Sequence, residues 1–227
     1  MMNKKLWLIQ APQIAIIGFI FLNILAMLTY PGGILHDTST IGYSFFNNFL
    51  SDLGRFISWG GSHNFYSQLF FNSAMIMAGF IFSFYFFNLR YIFNLESGLL
   101  FWISIIGTTA GVFGGISMTG VGLTPSDLYF SAHLDFAHWL FRFFFIASLC
   151  YTIIILKTDL IENKYVSGFF LFAILILSYI LFSEFGPNAR ESITTLRMQV
   201  VAQKSILLCF ILAVYIQTKG LQFLLDD

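Results

Sequence analysis

The sequence predicts an all-α integral membrane protein: a bundle of six transmembrane helices with an amphipathic helix in the first outer loop. Of its 227 residues, 58% are hydrophobic and only 10% are charged, whereas a soluble domain is nearer to half apolar and a quarter charged. Six apolar runs are each long enough to cross a bilayer, for which a helix needs about 20 residues. The sequence has no internal repeat, low-complexity tract or room for a soluble domain, so we interpret residues 1–227 as a single domain.

The six predicted spans follow the apolar runs. They cover residues 10–30, 64–89, 98–118, 166–185 and 195–217, and the fourth span follows the stretch 124–142 and ends near residue 157. The first run could instead be a signal peptide, but it is long, and the PGGILHD that follows offers no small-x-small cleavage site. In the third span Gly107, Gly111 and Gly115 repeat every four residues, which predicts close approach of another helix.

The first outer loop, residues 32–62, contains the segment SFFNNFLSDLGRFISW. At 100° per residue its apolar side chains fall on one side of a helix, and Asn48, Ser51, Asp52 and Arg55 fall on the other. This pattern predicts an amphipathic helix that lies on the membrane or folds over the bundle. Asp52 and Arg55, three residues apart, could form a local ion pair.

The entry to the fourth span, TPSDLYFSAHLDFAHWLFR, carries a stripe of ionisable side chains. Thr124 suits a helix N-cap and Pro125 the first helical position, with Asp127 as a capping-box acid. If the helix begins there, His133 points away from the stripe. Ionisable groups that enter a membrane span usually face a protein interior or a wet cavity, so this stripe is a candidate functional site. It consists of Asp127, Ser131, Asp135, His138 and Arg142.

The distribution of positive charge predicts the orientation. Six spans place both termini on one side, and that side holds six Lys or Arg residues against three on the other. Positive residues favour the cytoplasmic side, so we expect a multi-pass protein of the cell membrane with both termini in the cytoplasm. The polar residues would then lie in the outer half of the bundle, in a chamber closed on the inner side by Phe, Leu and Ile.

Three interpretations of these polar residues stay open at this point. Arg190, Arg197 and Lys204 recur every seven residues, which gives a cationic stripe on the sixth helix if it begins near Asn188, and this stripe could hold an anionic group. Five acids and five cations on the outer side could instead neutralise one another with no ligand at all. Catalysis is the third interpretation. The candidate ligand-binding residues are Asn48, Ser51, Asp52, Arg55, Asn72, Asp127, His133, Asp135, His138, Arg142, Arg197 and Lys204.

Catalytic and metal-binding candidates come from the same set. Acid, base or nucleophilic chemistry would draw on Asp52, Asp127, His133 and His138. A zinc ion would suit Asp127, Asp135 and His138, although the sequence has no HExxH motif and names no cofactor.

Three short motifs resemble a known family. They are NNFLSDLGR after the first span, GVGLTPSDLYFSAH before the fourth and LRMQVVAQK at the start of the sixth. Together they resemble the uncharacterised prokaryotic six-pass hypothetical membrane proteins, domain of unknown function nine hundred and ninety-eight. The resemblance implies a six-helix bundle with outward-facing polar motifs and no established activity, and it draws attention to His133. In layout such proteins are also similar to membrane-embedded hydrolases of the ceramidase type, but this chain lacks their paired C-terminal histidines.

We therefore expect a binding protein, carrier or sensor for a lipid head group or a small polar or anionic ligand. The alternatives are a membrane-embedded lipid hydrolase or transferase, with or without a metal, and a structural subunit of a membrane complex. Membrane lipids are the expected partners, and a homo-oligomer is compatible with the sequence. A formal net charge of zero argues against nucleic acid as a partner.

Overall fold

The computed structural model describes residues 4–93, 95–158 and 160–226, and six long helices dominate it. All six are long and apolar enough to cross a membrane. A π-helical turn, Leu6–Gln10, leads directly into the first helix. The helices are α1 (Ala11–Thr29), α2 (Phe65–Leu89), α3 (Gly98–Leu123), α4 (Phe130–Thr158), α5 (Asn163–Phe185) and α6 (Ile193–Asp226).

Helices that follow one another in the chain pack against one another, and α6 also returns to α1. Near the chain termini, Gln13 of α1 donates a hydrogen bond to the Thr218 hydroxyl of α6 at 3.2 Å. We call this the terminal end of the bundle. The opposite end, the loop end, carries the connections 30–64, 124–129 and 186–192.

The centre of the bundle is filled by aromatic rings from four helices. Phe86 of α2 and Phe144 of α4 have ring centroids 5.8 Å apart, and Phe210 of α6 lies 5.4 Å from Phe144. Phe172 of α5 completes the group at 5.5 Å from Phe210. Stacked and edge-on rings bury large apolar areas in well-defined geometries, so this core fixes the helices around it.

The predicted glycine face of α3 does permit close packing, against two different helices. A Cβ atom on Gly115 would collide with the Gly79 carbonyl oxygen and with Ser83 of α2, and one on Gly111 would strike the Phe86 ring. Gly107 faces Cys150 and Tyr151 of α4 instead. Two glycines of the repeat, Gly111 and Gly115, therefore permit close packing of α3 against α2, and the third, Gly107, permits close packing against α4.

The predicted amphipathic helix in the first loop is wrong. The loop contains an antiparallel hairpin, β1 (Gly32–Ile34) with β2 (Asp37–Ile41), followed by a 3-10 helix of five residues, Leu50–Gly54. Asn48 explains the difference, because its side chain accepts from Ser44 N at 2.9 Å and donates to Gly33 O at 2.9 Å. Asn side chains compete with helical backbone hydrogen bonds in this way.

The predicted start of the fourth helix is also wrong. The Thr124 hydroxyl donates back to Gly120 O of α3 at 2.7 Å, so it does not cap α4. The N–H groups of Leu128 and Tyr129 both bond to Pro125 O, at 3.1 and 2.8 Å, and form a turn. Asp127 therefore lies in this turn, and α4 begins at Phe130.

Candidate functional site

A buried carboxylate organises the first loop at the loop end of the bundle. Asp52 is only 5% exposed. Its Oδ1 accepts a hydrogen bond from Trp59 Nε1 at 2.9 Å, and its Oδ2 accepts from Phe49 N at 2.9 Å and from Asn48 Nδ2 at 3.2 Å. Three donors satisfy the carboxylate and hold the 3-10 helix in place.

Burial raises the pKa of Asp52 above its ordinary value, because a desolvated carboxylate is costly in its charged form. The hydrogen bonds from Trp59, Asn48 and Phe49 and the nearby charge of Arg55 act in the opposite direction. The pKa of Tyr43 is also raised, first by burial and then by the Asp52 charge.

Arg55 does not form the predicted ion pair with Asp52 among the described residues. Its Nε donates to Ile57 O at 3.0 Å, and its guanidinium lies 3.8 Å from the centroid of the Trp59 ring. Trp59 thus links the two charges, since its indole N–H bonds the acid while its face receives the cation.

The cations of α6 meet the first loop through neutral oxygen atoms. Lys204 Nζ donates to Phe45 O and, at 2.6 Å, to Asn48 O. Arg197 Nε, two helical turns away, donates to Asn47 Oδ1 at 3.3 Å. In the described part of the chain neither cation has a carboxylate oxygen within 4.0 Å.

Aromatic rings complete the surroundings of Lys204. Its Nζ lies 4.7 Å from the Phe45 ring centroid and 5.2 Å from that of Tyr43. Beside it, Gln203 Oε1 accepts from Leu50 N at 2.8 Å. The position of this side of α6 against the loop is therefore fixed by several independent contacts, and we call Arg197, Lys204 and loop residues 45–48 the α6 cation site.

Asp127 connects the turn before α4 to the first loop. Its two oxygens accept from Phe56 N and Ile57 N, both at 2.8 Å. His133 is 5% exposed, and its Nδ1 lies 2.7 Å from Thr124 O, so this nitrogen carries the proton and donates. Both side chains are thus engaged with backbone groups and serve as connections between segments.

The remaining stripe residues of α4 lie apart from the α6 cation site. Asp135 and His138 are exposed, and Asp135 makes no hydrogen bond or ion pair with any described residue. Arg142 forms an ion pair with Glu184 of α5 and donates to His138 O at 3.0 Å. The expected convergence of Asp135, His138 and Arg142 with Asp52 and the α6 cations is therefore not seen in the contacts.

Ser51 and Asn72 are the last two predicted ligand-binding residues. Both are partly buried, and Asn72 Oδ1 lies 3.2 Å from the position that a Cβ atom on residue Gly54 would occupy.

The predicted metal site is not formed, because the described residues contain no group of three or more His, Cys, Asp and Glu side chains arranged to hold an ion. Asp127, Asp135 and His138 thus do not meet at one point.

Sequence reasoning missed several polar residues. Trp59, Tyr43 and Gln203 belong to the loop-end network, and the position of Gln203 next to Lys204 was the available signal. Buried polar groups also lie towards the terminal end, where the hydroxyls of Thr108 and Tyr151 bond at 2.7 Å. The terminal end of the bundle therefore also contains paired polar groups.

Comparison with known proteins found no match, whether with a family model, a curated protein or a solved structure. The resemblance to the uncharacterised six-pass family accordingly stays a prediction.

The chemistry of the loop end favours binding over catalysis. Asp52, Asp127 and His133 already bond to backbone or indole groups, which is what buried polar groups in a structural role do. The α6 cation site differs, because among the described residues its two cations contact neutral acceptors and ring faces and have no carboxylate oxygen within 4.0 Å. Positive charge in such surroundings attracts an anion.

Proposed function

We propose that this protein binds an anionic group, on a lipid head or a small solute, at the α6 cation site. The observation that carries the proposal is that Lys204 and Arg197 hydrogen-bond to backbone and amide oxygens but have no carboxylate partner among the described residues. Lys204 is partly buried and Arg197 is exposed, so an incoming anion could reach both from the loop end.

The apolar surface beside the cations favours a lipid. Arg197, Lys204, Val201, Leu208 and Leu212 lie within about 80° of one another around α6, at 100° per residue. Val201, Leu208 and Leu212 are 41%, 57% and 52% exposed. An acyl chain could therefore follow this stripe of α6 while its phosphate contacts the two cations.

We further propose that the loop end faces outwards and that both termini are cytoplasmic. Apart from Arg142 and Lys204, which lie deeper within their helices, the loop end carries Arg55, Arg190 and Arg197, and the terminal end carries Lys4, Lys5, Arg90, Lys157, Lys164 and Lys219. Six positive residues against three support this orientation under the positive-inside rule. The ligand would then come from the outer leaflet or from the outside solution.

The test is lipid-dependent thermal stability of the purified protein in detergent. Added phosphatidylglycerol should raise the melting temperature of the wild type, since a ligand that binds the native state at 100 times its Kd stabilises it by about 2.7 kcal/mol. Phosphatidylcholine should give a smaller rise. Glycerol 3-phosphate should match phosphatidylglycerol only if the ligand is a small solute.

The variant Arg197→Gln/Lys204→Gln removes both charges and should lose the extra stabilisation by phosphatidylglycerol. Lys219→Gln is the matched control, because Lys219 lies on the same helix at the terminal end, above the Tyr215 ring. This control should respond like the wild type. An undiminished response in the double variant would show that the anion binds elsewhere and would refute the proposal.

A further inference from the structure

The first loop exposes large apolar side chains outside the six helices. Ile41 is 96% exposed, Phe45 50% and Phe46 57%, and the rings of Phe45 and Phe46 meet edge to face with centroids 5.2 Å apart. No Asp, Glu, Lys or Arg residue occurs between Asp37 and Asp52. Exposed apolar groups of this kind mark contacts with a membrane or another protein, and we call Ile41, Phe45 and Phe46 the loop apolar patch.

The two phenylalanines lie at the level where α1 ends. Gln13 of α1 bonds to Thr218 of α6 near the chain termini, and distances along both helices can be counted from that contact at 1.5 Å per residue. Thr29, the last residue of α1, is then about 24 Å away. Lys204 of α6, whose Nζ donates to Phe45 O, is about 21 Å away.

Ile41 lies at the same level, because it belongs to the base of the hairpin. It pairs with Gly32, and the next residue, Gly42, donates its N–H to Pro31 O at 3.2 Å, just beyond the end of α1. The apolar span that leads to this point has 24 residues and is about 36 Å long. The hydrocarbon core of a bilayer is about 30 Å thick, so the patch is at the boundary where this span leaves the core.

The tip of the hairpin lies further from the membrane than its base. His36 Nε2 is 2.8 Å from Ala189 O, and Ala189 precedes the start of α6 at Ile193. Ile193 is about 16 Å along α6 from Lys204. Ser39, an exposed residue between the tip and the base, is therefore on the water side of the patch.

We propose that the loop apolar patch inserts into the head-group layer of the bilayer and anchors the first loop to the lipid surface. Apolar side chains at an interface lie about 5–10 Å into the boundary between head groups and acyl chains. On the membrane side of Lys204, Leu208 and Leu212 are 57% and 52% exposed on α6, so the apolar surface continues from the patch towards the hydrocarbon core. Lys204 suits this depth, because its stem can lie along apolar groups while its amine stays in a polar layer.

Spin labelling tests the contact in vesicles of pure phosphatidylcholine, in a Cys150→Ala/Cys209→Ala background. A nitroxide on Phe46→Cys should collide mainly with oxygen, which concentrates in the bilayer, and rarely with a water-soluble nickel chelate. A nitroxide on Ser39→Cys, the control in the same loop, should show the opposite preference. The ratio of oxygen to nickel collisions should therefore be several-fold higher at position 46 than at position 39.

Two results would overturn the proposal. Equal ratios at the two positions would place the patch in water. Few collisions with either reagent at position 46 would show that a second copy of the chain or another protein covers it.

The wild-type protein gives a second readout that needs no substitution. A phosphatidylcholine with a photoreactive group near the ester end of its acyl chain should label the patch on irradiation, and mass spectrometry should find the adducts on Ile41, Phe45 or Phe46 and not on Ser39. Adducts on Leu212 without any on the patch would also contradict the proposal. Because phosphatidylcholine has no net charge, these results are independent of anion binding by Arg197 and Lys204, and this inference and the proposed function can fail separately.

Discussion

Asp127 provides the sharpest test of how the loop end is held together. This carboxylate accepts two backbone N–H groups that lie about 70 residues earlier in the chain, Phe56 N and Ile57 N, each at 2.8 Å. Replacement by Ala removes both acceptors at once and leaves both donors to find water or remain unpaired. The substitution therefore acts on the connection between the first loop and the turn before α4.

The size of the effect follows from the surroundings of the two bonds. The bond to Ile57 is partly buried, and a hydrogen bond to a charged group in such a place is worth about 1.5–3 kcal/mol. The bond to Phe56 is exposed and contributes less, about 0.5–1 kcal/mol. Asp127→Ala should thus destabilise the loop end by about 2–4 kcal/mol.

Hydrogen exchange measures this directly, since the first loop can open locally while the helices remain folded. Exchange at the Phe56 and Ile57 amides should accelerate by about 30- to 1,000-fold, at tenfold per 1.4 kcal/mol. Asp127→Asn keeps one acceptor oxygen and should lie between the wild type and Asp127→Ala.

Asp135→Ala is the control, because Asp135 is an exposed acid on α4 with no partner among the described residues. It should change stability by less than about 0.5 kcal/mol. If Asp127→Ala exchanges no faster than Asp135→Ala at these two amides, Asp127 does not hold the first loop.

Two further predictions concern pH and orientation. Because burial raises the pKa of Asp52 in the folded protein, the folded state retains this proton after the unfolded chain has lost it near the ordinary value of 3.8. The contribution of Asp52 to stability should therefore be fully present below that pH and decline as pH rises through the folded pKa. Thermal melts at several pH values should show a smaller decline in melting temperature for Asp52→Asn than for the wild type. Identical pH profiles of the two proteins would contradict this prediction. Cysteines introduced at Ser39 and Asn188 should react with an impermeant thiol reagent on intact cells, whereas one at Asn163 should not. The reverse pattern would invert the proposed orientation.

The six helices could be predicted from the sequence because hydropathy and length are local properties. Each apolar run is long enough to span a bilayer by itself, and in lipid a helix satisfies its own backbone hydrogen bonds. The α6 cations could likewise be found from their spacing, since residues seven apart share one face of a helix wherever that helix packs. The glycine repeat of α3 predicted close packing for the same reason.

Tertiary structure decided where the polar side chains find their partners. The residues next to Asp127 in the sequence predict a helix cap, but its hydrogen-bond partners are Phe56 and Ile57 in another loop. Asn48 belongs to a pattern that predicts a helix, but its bond to Gly33 O forms only when the hairpin folds back. Arg142 could have paired with Asp135, two turns away on the same helix, and Glu184 of the neighbouring helix takes that place.

The difference between what the sequence predicts and what it does not has one physical cause. Burial of apolar surface in lipid depends on the composition of a single segment, and composition can be read directly from the sequence. A hydrogen bond or ion pair depends on two atoms meeting within about 3 Å, and for Asp127, Asn48 and Arg142 the second atom lies between 15 and 71 residues away. The sequence by itself determined the architecture of six long apolar helices. Only the folded loop end decided which charges form ion pairs and which, like those of the α6 cation site, have no carboxylate oxygen within 4.0 Å among the described residues.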